Sequence, residues 1–426
     1  MKKFYLSFVT ICLIFSATAP LPVAVYAETN SPEEISPNNT EEKPTQEGST
    51  TSSNETNEKK PATADKTNEE TTPDTKTTSP SPKEKAATNQ LLAAGDTYID
   101  TFPDEAFAKV IALQITGNDD TSQVVTQEQL DSITSLNASG KNITDVTGIN
   151  QLTNLTSIDL SQNQLTSIAP ITDLTSLTSL NVSNNLLSIV VITTAQNIPN
   201  LTSLNISNNP TITKLSIADQ AKLTSFSAAL GGGVQSALEE LTLSNLPVLT
   251  QAVGTTNSAN SVTFSNYSDV LATVKLNGLP KIQNADFDSN FIDEVDVHDM
   301  AALTTLDLHA NELTEINKLA DLPALTNLDA DSNQLTNAGI ANVVQLDALQ
   351  TLYLDSNLLT SFTLDAENDL PNLTNLSISS MPTITNIHIA DQAKLTSFSA
   401  ALGGGVQSAL EELTLSNLPA LTQAVG

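Results

Sequence analysis

The chain has 426 residues, 48 acidic against 17 basic side chains and a formal net charge of −31. That charge excludes a nucleic-acid partner, because phosphate recognition needs a basic footprint, and it disfavours adsorption to anionic lipid. Trp is absent, and the only cysteine, Cys12, lies in a segment expected to be removed. The mature chain would then hold no disulfide, no thiol nucleophile and no thiolate metal ligand.

Residues 1–27 have the form of a secretory signal: Lys2 and Lys3, an apolar run from Phe4 to Ala17, and small residues in Val25-Tyr26-Ala27 before a cleavage point. The apolar run is too short to span a bilayer, so no integral membrane span is expected in the mature chain. Cys12 lies mid-run rather than after a lipobox, which argues against a lipoprotein. Residues 28–95 form a Thr/Ser/Pro/Glu linker with few aliphatics, acidic overall. Such a segment buries too little apolar surface to offset the entropy of ordering and is expected to be disordered. A spacer through a cell wall and a merely tolerated linker fit it equally.

Residues 96–129 differ from both neighbours. Phe102-Pro103-Asp104 opens a helix, with Pro suited to the first turn and Asp104 and Glu105 at the positive end of the dipole. Phe107, Val110 and Ile111 share one face of it. A second short helix is expected at Thr126, which has capping-box spacing to Gln129. This segment reads as the helical N-terminal cap that a solenoid end requires.

From residue 130 to 426 the chain is repetitive. In LTNLTSIDLSQNQLTSIAPITD (152–173) apolar residues fall at Leu152, Leu155, Ile158, Leu160, Leu165, Ile168 and Ile171. The preceding segment, 130–151, has the same pattern. The expected fold is an α/β solenoid, a leucine-rich-repeat horseshoe of about 22-residue coils with parallel strands on its concave face, a helical N-terminal cap and a disordered segment before it. Return segments are expected to be irregular or 3₁₀. Inward pairs continue at Leu180/Val182, Leu204/Ile206 and Phe226/Ala228, and resume at Leu306/Leu308, Leu328/Ala330, Leu352/Leu354 and Leu376/Ile378. Asn163, Asn185, Asn209, Asn311, Asn333 and Asn357 recur where each strand ends. An amide there has donors and an acceptor for turn groups, so these residues are expected to form a structural ladder. At Gly231 and Gly403 the Asn place falls in a Gly-Gly-Gly run, which lacks the lysine and the strand–loop–helix context of a phosphate loop. Residues 217–254 recur at 389–426 with one change, Val248 to Ala420. The duplication, with neither a terminal cap nor a sorting motif after it, suggests a fragment of a longer protein.

The runs FPDEAFAKVIA (102–112) and VVTQEQLDSITSLNASGKNITDVTGINQLTNLTSIDLSQNQLTSI (124–168) resemble the helical cap and first repeats of the internalin family of bacterial surface proteins. The resemblance is specific over residues 102–185 and weaker beyond. It implies a secreted or wall-associated protein of a Gram-positive bacterium that serves adhesion, virulence or host interaction. The long linker departs from the family's arrangement, so no family member's partner is carried over.

Neither a catalytic constellation nor a cofactor motif emerges. His309 is expected to point outward near Asp307, with Asp329 or Asp331 in reach, but a His–Asp pair without a nucleophile and an oxyanion hole is not a hydrolase. The notable feature is a set of aspartates at equivalent exposed strand positions: Asp286, Asp288, Asp307, Asp329, Asp331 and Asp355. With His309 and Tyr353 they form the candidate ligand-binding face. Like charges on neighbouring strands repel. Ca²⁺ at Asp307, Asp329 and Asp331 would relieve that, though no dedicated loop is present. A solvated acidic surface, or one for a basic partner, is favoured over a metal site. Elsewhere the exposed positions are mostly Ser, Thr and Asn, which offer little anchoring. The expected partner is a protein or glycan, with a host cell surface or the cell wall as candidate locations. The competing expectation is a structural stalk presenting a further C-terminal domain, such as a wall hydrolase.

Overall fold

A computed structural model describes residues 92–229, 237–254, 259–265, 270–365, 370–401 and 409–425. The expected signal, most of the expected linker, Gly231 and Gly403 lie outside these residues. Three helices come first: α1 (Tyr98–Thr101), α2 (Glu105–Thr116) and α3 (Gln127–Asp131). Asp104 caps α2 by accepting the Phe107 amide, and Gly117 ends that helix in the left-handed region. Thr126 and Gln129 form a capping box at α3. Phe107 and Ile111 are fully buried, and Phe102 meets Phe107 edge-on with ring centroids 5.3 Å apart. The short α1 was not among the expected elements. Its Thr97 cap closes a capping box with Asp100.

Asp104 also fastens the helices to the first coil. Its second oxygen accepts the Thr144 amide at 2.8 Å, the Thr144 hydroxyl at 2.7 Å and the Asp145 amide at 3.1 Å. These donors hold the carboxyl below its usual range against the opposing effect of burial. Gly148 makes the same junction possible. Its φ is 92°, and a Cβ there would lie 2.2 Å from the Thr101 carbonyl oxygen.

Among the described residues, fourteen short parallel strands follow in one sheet, in sequence order within it. The first, Ser135–Asn137, pairs with Ser157–Asp159, and Leu136 lies in register with Ile158. The central residue of each three-residue strand points inward, with the flanking two on the outer face. Leu136, Ile158, Leu180, Leu204, Phe226, Leu306, Leu328, Leu352 and Leu376 are all at most 2% exposed. One coil's leucines find their contacts on the next coil, so the core is continuous along the stack.

Two side-chain ladders tie the coils together. Asn163 Nδ2 donates to the carbonyls of Leu160 in its own coil and Ala138 in the coil before, while its Oδ1 accepts the Ile143 amide. Asn185, Asn209, Asn311, Asn333 and Asn357 each donate likewise to their own and the preceding coil. Asn290 has the same bonds, to Phe287 and Phe264, and was missed in the sequence although it stands three residues after Phe287, as Asn311 does after Leu308. The second ladder is made of threonine hydroxyls ahead of most strands. Thr156 donates to the Thr134 carbonyl, Thr178 to Thr156, Thr202 to Thr178 and Thr224 to Thr202, at 2.8–3.0 Å. The recurring Leu-Thr of the repeat therefore has a bonding role that its periodicity alone does not reveal.

Two expectations need amendment. The return segments are not only irregular or 3₁₀: six form a second parallel sheet and three a third. Lys214–Ala218, Glu240–Ser244, Thr273–Asn277 and Glu294–His298 each alternate outward residues, polar except for Ala218, with inward apolar ones, which suits a strand. The 3₁₀ form appears at Ile149–Gln151, Thr194–Gln196, Ala338–Ile340 and Val343–Gln345. The long sheet is also unbroken between Phe226 and Leu306, where the inward pairs could not be followed. Its strands there centre on Ala252, Val262 and Ala285. Small residues hide the pattern, and the volume is supplied by Phe264 and Phe287, stacked with centroids 6.1 Å apart. Among the described residues no helix is long and apolar enough to cross a membrane.

Candidate functional site

The strand registers place the outward positions of the long sheet in rows, among which Thr263 is buried. One row, the last residue of each strand, runs Asn137, Asp159, Asn181, Asn205, Ser227, Val253, Thr263, Asp286, Asp307, Asp329, Tyr353, Ser377 and Ser399. The acidic part is thus three aspartates in direct register. A second row stands two residues further along each coil and contains Asp288, His309, Asp331 and Asp355. The candidate residues therefore fall on four successive strands and the turns just after them. Tyr353 ends the aspartate run and is 40% exposed.

Each aspartate in the first row has a local task. Asp286, Asp307 and Asp329 accept the amides of Asp288, His309 and Asp331, at 3.3, 3.0 and 3.2 Å. Asn181 and Asn205 accept the amides of Ser183 and Ser207 in the same way, both at 3.1 Å. In these coils the turn uses a side-chain oxygen at this position, and Asn supplies one without charge. Aspartate in three consecutive coils adds three negative charges that the turn does not require.

The cost of that choice is electrostatic. Asp329 is pushed up to about 7, by burial and then by the neighbouring Asp331 and Asp307. Asp286 is pushed up to about 6, by burial and then by Asp288 and Asp307. Asp307 and Asp355 are raised as well, burial being the largest cause for both. Asp355 is partly compensated by donors on the next coil, among them the Ser377 hydroxyl at 2.7 Å. His309 responds in the opposite sense. Burial disfavours its charged form, but the hydrogen bond and charge of Asp331, with Asp329 and Asp307 behind it, raise its pKa overall.

Of the two aspartates expected within reach of His309, Asp331 is the one its Nδ1 contacts. His309, Asp329 and Asp331 present ligand atoms that all lie within 4.8 Å of one another. This set differs from the three aspartates considered for Ca²⁺: an imidazole replaces Asp307, and a nitrogen ligand suits a transition metal better than Ca²⁺. The three are partly exposed and engaged with each other and with the backbone, and carry no metal assignment. His298 and His388 lie on other sheets. His298 sits between Asp299 at 2.8 Å and Asp296 at 3.7 Å.

A sequence model described as Leucine Rich repeats (2 copies) matches residues 131–176 and 153–194. Among solved structures, an internalin (InlF) from Listeria monocytogenes is 22% identical over 79% of this chain and 98% of its own, with a TM-score of 0.37. Internalin C2 of the same species is 20% identical over 76% of this chain and 98% of its own, with a TM-score of 0.24. The functional domain of its InlJ is 23% identical over 72% and 76% of the two chains, with a TM-score of 0.27. No curated protein matches the sequence. The chain is a leucine-rich-repeat protein, and at this identity the likeness concerns the fold.

Proposed function

We propose that this is an exported bacterial surface protein whose long sheet binds a cationic ligand through the two acidic rows, in the service of adhesion. The observation that carries this reading is the run Asp286, Asp307, Asp329 in direct register, where an asparagine would satisfy the same turns. Clustering like charges lowers stability, and a basic partner repays that cost when it neutralises them. The signal-like residues 1–27 support export. The serines, threonines and asparagines around the cluster suit hydrogen bonds to a protein or an amino-bearing glycan more than deep apolar anchoring.

The test is fluorescence anisotropy with a labelled oligolysine peptide and, separately, a chitosan oligosaccharide. Saturable binding that weakens between 50 and 300 mM salt, by roughly tenfold or more, is expected for a contact dominated by charge. Asp307→Lys with Asp329→Lys should remove most of it. Full binding by the double variant would exclude this face.

A further inference from the structure

The three registered aspartates do not have equal neighbours. Asp286 faces Asp307 and Asp307 faces Asp329, but the strand beyond Asp329 puts Tyr353 in register with it. An earlier coil shows a different arrangement at the same strand position. Asp159 accepts the Ser161 amide at 2.9 Å and takes a second donor from the next coil, Asn181 Nδ2 at 3.0 Å. Asp329 accepts the Asp331 amide in the same way, at 3.2 Å, but the residue in the place of Asn181 is Tyr353, which brings a ring instead of an amide. Tyr353 is 40% exposed, and the positions beyond it in the row are the short Ser377 and Ser399. An open aromatic face thus stands beside a carboxylate that lacks its cross-coil donor.

The other carboxylates nearby are committed. Asp331 meets Nδ1 of His309, and Asp355 is held by the Ser377 hydroxyl at 2.7 Å and by the Ser379 amide. That leaves Asp329 as the one beside Tyr353 whose cross-coil bond is unfilled.

We propose, resting on the reading of the long sheet as a cation-binding face, that Asp329 and Tyr353 form a subsite for an arginine side chain of a protein partner. The guanidinium stacks on the Tyr353 ring and donates to the Asp329 carboxylate in the place that Asn181 fills for Asp159. Neighbouring strands stand about 4.8 Å apart, a span that a planar guanidinium covers while one face stays on the ring. Its fork of N–H groups also matches a carboxylate. A lysine ammonium is a compact, strongly hydrated charge that pairs with the acidic rows wherever they run and gains less from the ring. The amino group of a glycan has the same character. A second copy of this chain is not the occupant, because all 17 of its basic residues are lysines.

The experiment is fluorescence anisotropy of the full chain at pH 8 with two labelled peptides of equal length and charge, one carrying arginines and the other lysines at the same positions. The arginine peptide is expected to bind about five- to twentyfold more tightly. Tyr353→Ala should bring the two within about twofold of each other and leave the Kd of the lysine peptide nearly unchanged. Tyr353→Phe should keep the preference, since the ring and not the phenol makes the contact. Both substitutions are at an outward position, so an unchanged Tm is expected and would show the coil intact. Equal affinities for the two peptides, or a preference that survives Tyr353→Ala, overturn the subsite and leave the acidic face standing. Failure of both peptides to bind overturns the subsite and the cation-binding reading together.

Discussion

The long sheet and the second sheet treat their carboxylates in opposite ways. On the second sheet Glu240 faces Lys214 at 2.7 Å, and Glu294 is held between Lys318 at 2.7 Å and Lys275 at 3.4 Å. The lysines hold Glu294 below its usual range. On the long sheet Asp286, Asp307 and Asp329 face one another, and the neighbouring carboxylates raise what burial has already raised. A solenoid stacks equivalent positions, so any charge repeated from coil to coil meets itself. The second sheet escapes this by alternating sign between neighbouring coils. The long sheet does not, and its acidic rows cost stability unless something outside the fold compensates them.

The largest effect that bears on the contrast belongs to the interior that both sheets share. Asn333→Ala removes donors to the Leu308 and Ala330 carbonyls and the acceptor for the Leu313 amide. A loss of about 2–4 kcal/mol is expected, because the orphaned groups stay buried. Urea unfolding would measure it, and a wild-type midpoint would show that the ladder is dispensable.

Asp329→Asn comes next and has the opposite sign. It keeps the oxygen that the turn uses and removes the charge at the Tyr353 end of the run. A gain of roughly 1–2 kcal/mol at pH 8 is expected after allowance for solvent screening. The native Asp329 is raised above its unfolded value, so its stabilising contribution is complete below pH 3.8 and is lost as pH rises through about 7. Tm profiles of the two proteins should therefore diverge between pH 4 and 8, and parallel profiles would refute the repulsion.

Glu294→Gln should do least. Its lowered pKa stabilises the fold above the unfolded value of 4.5, and that contribution disappears on acidification, a slope opposite to that of Asp329. Exposed ion pairs contribute little, so a Tm change within about 2 °C is expected, erased by 0.5 M salt. A drop larger than that of Asn333→Ala would overturn the ranking of interior over surface.

Much of this was legible in advance because the repeat leaves each position one environment. Leu306/Leu308 and Leu328/Ala330 are buried as their spacing requires, and Thr126 with Gln129 forms the box their spacing suggests. The strands centred on Val262 and Ala285 were illegible because their bulk comes from Phe264 and Phe287, two residues along. Asn290 passed unnoticed because its coil lacks the Leu pair that marks the others. At the acidic face the sequence shows which residues lie outward. It does not show that Asp331 rather than Asp329 meets His309, which depends on register and rotamer.

The sequence by itself determined a stack of coils, an inward leucine set, an outward polar set and a terminal helical cap, because periodicity and capping chemistry are local. Tertiary structure alone decided which charges became neighbours and which leucines became covered. The twin segments 217–254 and 389–426 make the reason plain: Glu240 and Glu412 stand in the same local sequence, yet the preceding coil gives one the charge of Lys214 and the other the uncharged Asn386. In a solenoid a side chain's environment belongs to the next coil as much as to its own.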